Sequence, residues 1–228
     1  MSDFLFGILN LAMFVPAIVL HEVAHGYVSY RLGDPTAKSR GRLSLNPIKH
    51  MDPFGTVLLP LMLWAAGLPI FGYAKPVPIN PGYYRDYRKG MVLTGLAGPA
   101  TNLTLALLAG LAVRAISAGV SIVSGAAGET VLTGAAWVAF AFYFFAQINL
   151  VLMFFNLIPI PPLDGSRVLP LFLSDAALAK YHQFERYGIM VFFALMFLVP
   201  RLLNVDIIGG YFDLTVGPLL RLFTGLAL

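Results

Sequence analysis

Apolar residues run through this chain in six long blocks separated by short polar stretches. The blocks cover residues 4–30, 54–72, 91–113, 131–163, 187–200 and 207–228. A helix crosses the hydrocarbon core of a bilayer with about 20 largely apolar residues. The blocks therefore predict an all-α polytopic membrane protein with about four to six transmembrane helices. The first block is broken only by His21-Glu22-Val23-Ala24-His25-Gly26, and the fourth holds no charged residue before Asp164. The second carries Pro60, Gly67 and Pro69. The last contains Asp213, Pro218 and Arg221, and reads as interfacial or as a poor span. No internal repeat or low-complexity linker divides the chain, which predicts one integral-membrane domain over 1–228. Its core is expected at about 4–170, with C-terminal helices at 171–228.

Basic residues set the expected topology. Arg31, Lys38, Arg40, Arg42 and Lys49 follow the first block, and Lys75, Arg85, Arg88 and Lys89 precede the third. Basic loops collect on the cytoplasmic side, so both clusters belong there. The second block is then expected to enter and leave on one side as a re-entrant hairpin, bent between Pro60 and Pro69. Irregular backbone at that depth is tolerated where protein shields it. Between the helices, residues 40–46 alternate polar and apolar with period two, a strand pattern. Residues 72–80 read as extended chain whose Pro76 and Pro78 suit only a sheet edge. Together they predict a small membrane-associated β element on the cytoplasmic side, with an ordinary loop as the alternative.

Composition sharpens the class. Of 228 residues, 58% are hydrophobic and 11% charged, and the mean hydropathy is +0.79. A soluble globule could not hide that much apolar surface, and disordered chains have the opposite balance. A net charge of +4 with pI near 9.4 would point to nucleic acid in a soluble protein. Here it orients helices, and no nucleic-acid partner is expected. The absence of cysteine removes disulfides, thiol catalysis and cysteine metal sites. Residues 1–10 lack a basic region, so no cleavable signal peptide is expected.

Candidate chemistry centres on His21 and His25. Residues four apart on a helix share a face, so both imidazoles can meet one ion, with Glu22 beside it. That is the zincin pattern of two ligands and a general base. Ionisable groups inside an apolar membrane helix cost several kcal/mol in all and are functional by default; the plainer reading is a buried polar network. A catalytic zinc wants three protein ligands and an open position. His50, His182 or a carboxylate must supply the third. Asp164 is the strongest candidate, because it follows a long uncharged helix and the breaking prolines 159, 161 and 162. His50, beside Lys49 and Asp52, reads as exposed, and His182 as interfacial.

These motifs resemble the site-2 protease family of intramembrane zinc metalloproteases, in its compact bacterial branch. The matching residues are His21–Gly26, Gly98-Pro-Ala-Thr-Asn102 and the segment from Asn156 to Gly165, supported by Asn46-Pro47, Asp52-Pro-Phe-Gly55 and Ala74-Lys-Pro-Val-Pro78. The resemblance covers about residues 15–170. It implies one Zn2+ per chain on His21, His25 and Asp164, with Glu22 as general base. Asn102 would stabilise the oxyanion or hold substrate; its amide could instead bridge helices, as small neighbours allow. Asn156 is a supporting or packing residue. No PDZ-like insert is expected in residues 116–130, nor a nucleotide-binding accessory domain after the core.

The expected activity is hydrolysis of peptide bonds within or near transmembrane segments of membrane-protein substrates, in a bacterial inner membrane. The active site would lie nearer the cytoplasmic side. Unwound substrate would need backbone partners, and residues 40–46 and 72–80 are candidate clamps. The rival class is a membrane protein that binds or transports a divalent metal without hydrolysis. It has no use for a glutamate that is not a ligand, and its usual repeated halves are missing. A catalytically silent relative would have no chemical reason to keep His21, Glu22, His25 and Asp164 together.

Overall fold

Backbone polar groups buried in hydrocarbon must pair within their own segment, and the long apolar blocks accordingly fold as helices. The computed structural model describes residues 3–65, 74–123 and 129–226. In chain order it contains α1 (Asp3–Arg31), the single turn α2 (Thr36–Ser39) and a 3-10 turn at Pro47–His50. A π-helical turn at Pro53–Leu58 leads into α3 (Leu59–Ala65). After a 3-10 turn at Pro81–Tyr83 come the two longest central elements, α4 (Tyr87–Val123) and α5 (Glu129–Leu157). A 3-10 segment at Asp164–Leu171 precedes α6 (Asp175–Glu185). Then α7 (Gly188–Phe193) passes through a π-helical turn into α8 (Val199–Leu203), and α9 (Ile207–Thr224) closes the described chain.

Helix α4 is the centre of the packing, touching α1, α5, α9 and the 3-10 segment at Asp164–Leu171. Its small residues explain why. Ala106 and Ala109 meet Ala146, Leu150 and Met153 of α5 and Val216 and Leu220 of α9 in one buried cluster. At Gly110 a methyl group would stand 2.5 Å from the Phe223 Cβ. Close approach over small residues is the usual way helices associate in lipid, where apolar burial gives little driving force. Arg114 of α4 also closes the end of α9, donating to the Leu222 and Phe223 carbonyls. The tail is thus docked against α4 and α5 along its length.

Among the described residues, two helices are long and apolar enough to cross a membrane: Tyr87–Ser121 within α4 and Val131–Leu157 within α5. A third is added if α6 and the helix from Gly188 to Leu203, bent by 70°, count as one span. The count is smaller than the expected four to six. The block at 187–200 folds in short pieces, while α1 and α9 are long enough but carry polar residues, His21–His25 in the first and Asp213 and Arg221 in the second. The bend expected in residues 54–72 falls partly on 66–73, outside the described residues; the helical part before it is a short apolar stretch over Pro53–Leu63.

The expected β element is not formed: no strand occurs among the described residues. Residues 74–80 do run extended as a strap, but side chains take the places a neighbouring strand would fill. Arg42 Nη2 donates to the Lys75 carbonyl at 2.6 Å and to the Pro76 carbonyl at 3.3 Å. The Lys75 N–H reaches the His50 carbonyl at 2.8 Å, and the Asn80 N–H reaches Asp34 Oδ2 at 2.7 Å. Pro76 and Pro78 supply no N–H at all. His50, expected to be exposed, is 2% exposed, with Nε2 2.7 Å from the Ser44 carbonyl. It belongs to the clasp that holds the strap.

Asp34 anchors the other end of that clasp from full burial. Its carboxylate accepts from the Thr36 N–H (2.9 Å), the Thr36 hydroxyl, Ser29 Oγ (2.8 Å) and the Asn80 N–H. Burial pushes this carboxyl up, but the bonds from Asn80, Thr36 and Ser29 outweigh it and hold it below the ordinary carboxylate range. A depressed folded value means the stabilisation is complete above the unfolded value of about 3.9 and is lost as pH falls through the folded one. Asp34→Asn should therefore lower the melting temperature in detergent at pH 7 by about 4–8 °C, for a loss of roughly 2 kcal/mol. The gap to wild type should narrow as pH falls below about 4. A gap that is absent at pH 7 would contradict this assignment.

Candidate metal centre

The site forms where α1 crosses α4 beside the 3-10 segment that begins at Asp164. His21 and His25 lie one turn apart on α1, and both face α4 with 4% and 3% exposure. They can do so because α4 offers Gly98 there. A methyl group at Gly98 would lie 2.6 Å from His21 Nε2 and closer still to His25 Nε2. Asp164 comes from the far side. After α5 the chain turns through Pro159, Pro161 and Pro162, the Pro161–Pro162 bond being cis, and points the carboxylate inward. Gly95 of α4 leaves room for this return, since a methyl group there would stand 3.1 Å from the Asp164 carbonyl.

Three side-chain atoms converge. His21 Nε2, His25 Nε2 and Asp164 Oδ2 are each 3.0 Å from the other two. The protons on the rings are placed by what lies behind them. His25 Nδ1 is 2.6 Å from the Thr94 carbonyl, which can only accept, so Nδ1 carries a proton, and in the neutral imidazole Nε2 is left with the lone pair. For His21 the reasoning runs through two asparagines. The Phe145 carbonyl accepts from Asn149 Nδ2 at 2.8 Å, so Asn149 turns Oδ1 to Asn102 Nδ2, also at 2.8 Å. Asn102 Oδ1 then faces His21 Nδ1 at 2.5 Å and accepts its proton. Both Nε2 atoms are lone-pair donors aimed at a carboxylate oxygen. Three such atoms in one buried triangle repel one another unless a cation sits among them. A zinc with tetrahedral ligands at about 2.0–2.1 Å separates them by roughly 3.3 Å.

Of the residues singled out from the sequence, His21, His25 and Asp164 are brought together, and Glu22 lies beside them without joining the triangle. Glu22 Oε2 accepts from the Val77 N–H of the strap at 2.9 Å. Asn102 is fully buried behind His21, with both ends of its amide engaged. His50 stays in the strap clasp and His182 on exposed α6, near Tyr87 and Glu185. Sequence reasoning missed Asn149 and Thr94, whose only signals are a polar side chain in an apolar helix and a main-chain carbonyl. It also missed Arg167, three residues after Asp164, with Nη1 3.4 Å from Asp164 Oδ1. A cavity of about 110 Å3 opens on the triangle, between Glu22, Pro76, Val77 and Ile79 of the strap, Asn156, Pro162 and Arg167.

The model of peptidase family M50 matches residues 9–199. The chain belongs to peptidase family M50, the site-2 protease family. Among curated proteins, it is 40% identical over 187 residues to "Putative zinc metalloprotease YwhC" of Bacillus subtilis, covering 82% of this chain and 78% of that protein. It is 31% identical over 201 residues to "Putative zinc metalloprotease Rip2" of Mycobacterium tuberculosis, covering 86% and 68%. No solved structure matches. The chain is a zinc metalloprotease and an integral membrane protein, with Zn2+ as its cofactor. Two imidazoles and a carboxylate around one point suit that metal, and the site-2-type assignment agrees with the motif resemblance.

The crowding at Gly98 gives a direct test. Gly98→Ala should cost the detergent-purified protein most of its bound zinc. Gly119→Ala on the same helix, where a methyl group meets nothing within 4 Å, should leave zinc near one per chain. Metal analysis of the two variants beside wild type checks this, and full zinc in Gly98→Ala would refute the placement of the imidazoles.

Proposed function

We propose that the protein is an intramembrane endopeptidase that cuts peptide bonds within or near the transmembrane segments of other membrane proteins. His21, His25 and Asp164 hold the zinc, and Glu22 is the general base. The observation that carries this reading is the separation of duties within one turn of α1. Two side chains meet the carboxylate of Asp164, while the carboxylate between them in sequence stays outside the triangle and is held by a main-chain N–H. A metal carrier has no need of such a group.

When bound, zinc polarises the scissile carbonyl and lowers the pKa of its water toward about 7. Glu22 takes one proton from the attacking water as its oxygen bonds to the carbonyl carbon and the carbonyl π electrons move to oxygen. The C–N bond then breaks, and Glu22 delivers that proton to the leaving nitrogen. The Val77 N–H on Oε2 fixes the carboxylate, which leaves Oε1 for the water. Asn102, backed by Asn149, keeps His21 in the tautomer that offers Nε2, a supporting role rather than a share in the chemistry. The cavity of about 110 Å3 has room for several waters.

Substrate must reach this site unwound, because a helical peptide bond has its carbonyl engaged. The strap is the natural partner for the opened backbone. The Val77 carbonyl and both main-chain groups of Ile79 carry no hydrogen bond among the described residues, and both residues line the cavity. The basic residues before α2, around α3 and before α4 favour a site toward the cytoplasmic face of a bacterial inner membrane. On the same reasoning α1 spans, with its N-terminus outside.

Fluorescently labelled casein, an unfolded chain that needs no unwinding, gives the first assay in detergent or liposomes. Wild type should cleave it. Glu22→Gln should lower the rate at least about 100-fold while keeping zinc near one per chain. Cleavage that survives in Glu22→Gln would overturn the role of the base. Zinc lost with Glu22 would make it a ligand and turn the site toward metal binding or transport.

A further inference from the structure

Hydrolysis of an amide builds negative charge on the former carbonyl oxygen, and a donor aimed at that oxygen is worth about 2.7–4 kcal/mol of barrier. Asn102 was the sequence candidate, but both ends of its amide are committed behind His21 and it does not line the cavity. The other lining groups can be taken in turn. His21 and His25 present lone pairs, Glu22 and Asp164 are acceptors, and Pro76 and Pro162 have no N–H. The Val77 N–H is spent on Glu22, and the Ile79 N–H, which also lines the cavity, lies on the strap, where it is assigned above to the backbone of the unwound substrate. Asn156 spends one of its two amide N–H groups on the Leu152 carbonyl of its own helix at 2.9 Å, so it keeps a single neutral donor and brings no charge to the oxygen.

Arg167 is different. Its guanidinium carries five N–H donors, and no hydrogen bond is formed by any of them among the described residues. Nη1 is buried without a hydrogen-bond partner and stands 3.4 Å from Asp164 Oδ1, the carboxylate oxygen turned away from the imidazoles. The stem is held in place: a methyl group at Gly95 would lie 2.8 Å from Arg167 Cβ and 3.4 Å from Cδ, so α4 supports the side chain along its length. The guanidinium, ion-paired with Asp164 yet making no hydrogen bond among the described residues, has donors left for a ligand oxygen.

We infer that Arg167 is the oxyanion donor: its guanidinium binds the scissile carbonyl oxygen and strengthens that bond as charge develops there. The inference rests on the hydrolytic reading above. It is a catalytic role, distinct from merely holding Asp164, and the two are separable.

Two probes on the zinc-loaded full chain distinguish them. A phosphinic peptide with apolar flanks carries a tetrahedral centre with two oxygens, one free to meet Arg167. The matching thiol peptide has a metal-binding atom and no such oxygen. Arg167→Gln and Arg167→Lys should keep zinc near one per chain and keep thiol-peptide affinity within about twofold. Phosphinic-peptide affinity in Arg167→Gln should fall about 100-fold, in the range set by loss of one oxyanion donor. The Lys variant should lose less. Zinc lost from Arg167→Gln, or phosphinic affinity unchanged, would overturn the inference while leaving the protease reading intact. Wild-type protein that holds zinc yet binds neither probe would overturn the hydrolytic reading and the inference together.

Discussion

Three lone-pair atoms pressed to 3.0 Å of one another inside an apolar helix bundle are the constraint around which this protein is arranged. With both imidazoles neutral and protonated at Nδ1, nothing in the triangle of His21, His25 and Asp164 donates, which is the arrangement a bound cation holds together. Much of the polar content of the bundle serves to keep it closed and correctly protonated. Thr94 and the Asn102–Asn149–Phe145 series fix the two tautomers from behind. Gly98 gives the imidazoles their space, and Gly95 admits the returning chain. Each is a cheap residue in α4 or α5 chosen for what it permits on α1.

The second arrangement is the strap over the site. Residues 74–80 are extended but belong to no sheet, because Arg42, the His50 carbonyl, Asp34 and Glu22 take up their main-chain groups one by one. The same polar contacts link structure to function. Asp34 receives both the Asn80 N–H and Ser29 Oγ; Ser29 meets Tyr84, and Tyr84 meets Thr94, whose carbonyl holds His25. A continuous buried series thus runs from the strap's far end to a proposed zinc ligand.

Much of the site was legible in the sequence, because its chemistry is local or costly. His21 and His25 are one helical turn apart, and a charged triplet inside an apolar block has few structural reasons to exist. Asp164 stood out for the same reason, after a long uncharged helix and three prolines. What escaped was the set of partners defined only in three dimensions. Asn102 was expected either to stabilise the oxyanion or to bridge helices, and its amide bridges His21 of α1 and Asn149 of α5. Arg167 did not stand out in the sequence and lies in the cavity wall. His50 looked exposed by its neighbours Lys49 and Asp52, yet its ring is enclosed by the strap. The period-two pattern at 40–46 did not make a strand: the segment opens in a turn with Gly41 at φ 62° and bends at Leu43, and alternation alone cannot tell a ladder from such a loop. The fold class was clear from hydropathy, whereas the number of spans depends on how each block folds: the one at 187–200 is divided into short helical pieces and bent by 70° from α6.

The most direct test of the central claim is X-ray absorption at the zinc edge of the purified protein, in wild type, Glu22→Gln and Asp164→Ala. The account predicts a first shell of two imidazole nitrogens with light oxygen ligands at about 2.0–2.2 Å, unchanged in Glu22→Gln. One oxygen ligand, or most of the metal, should be lost in Asp164→Ala. A shell altered by Glu22→Gln and indifferent to Asp164→Ala would contradict it, because the base and the third ligand would then have exchanged places.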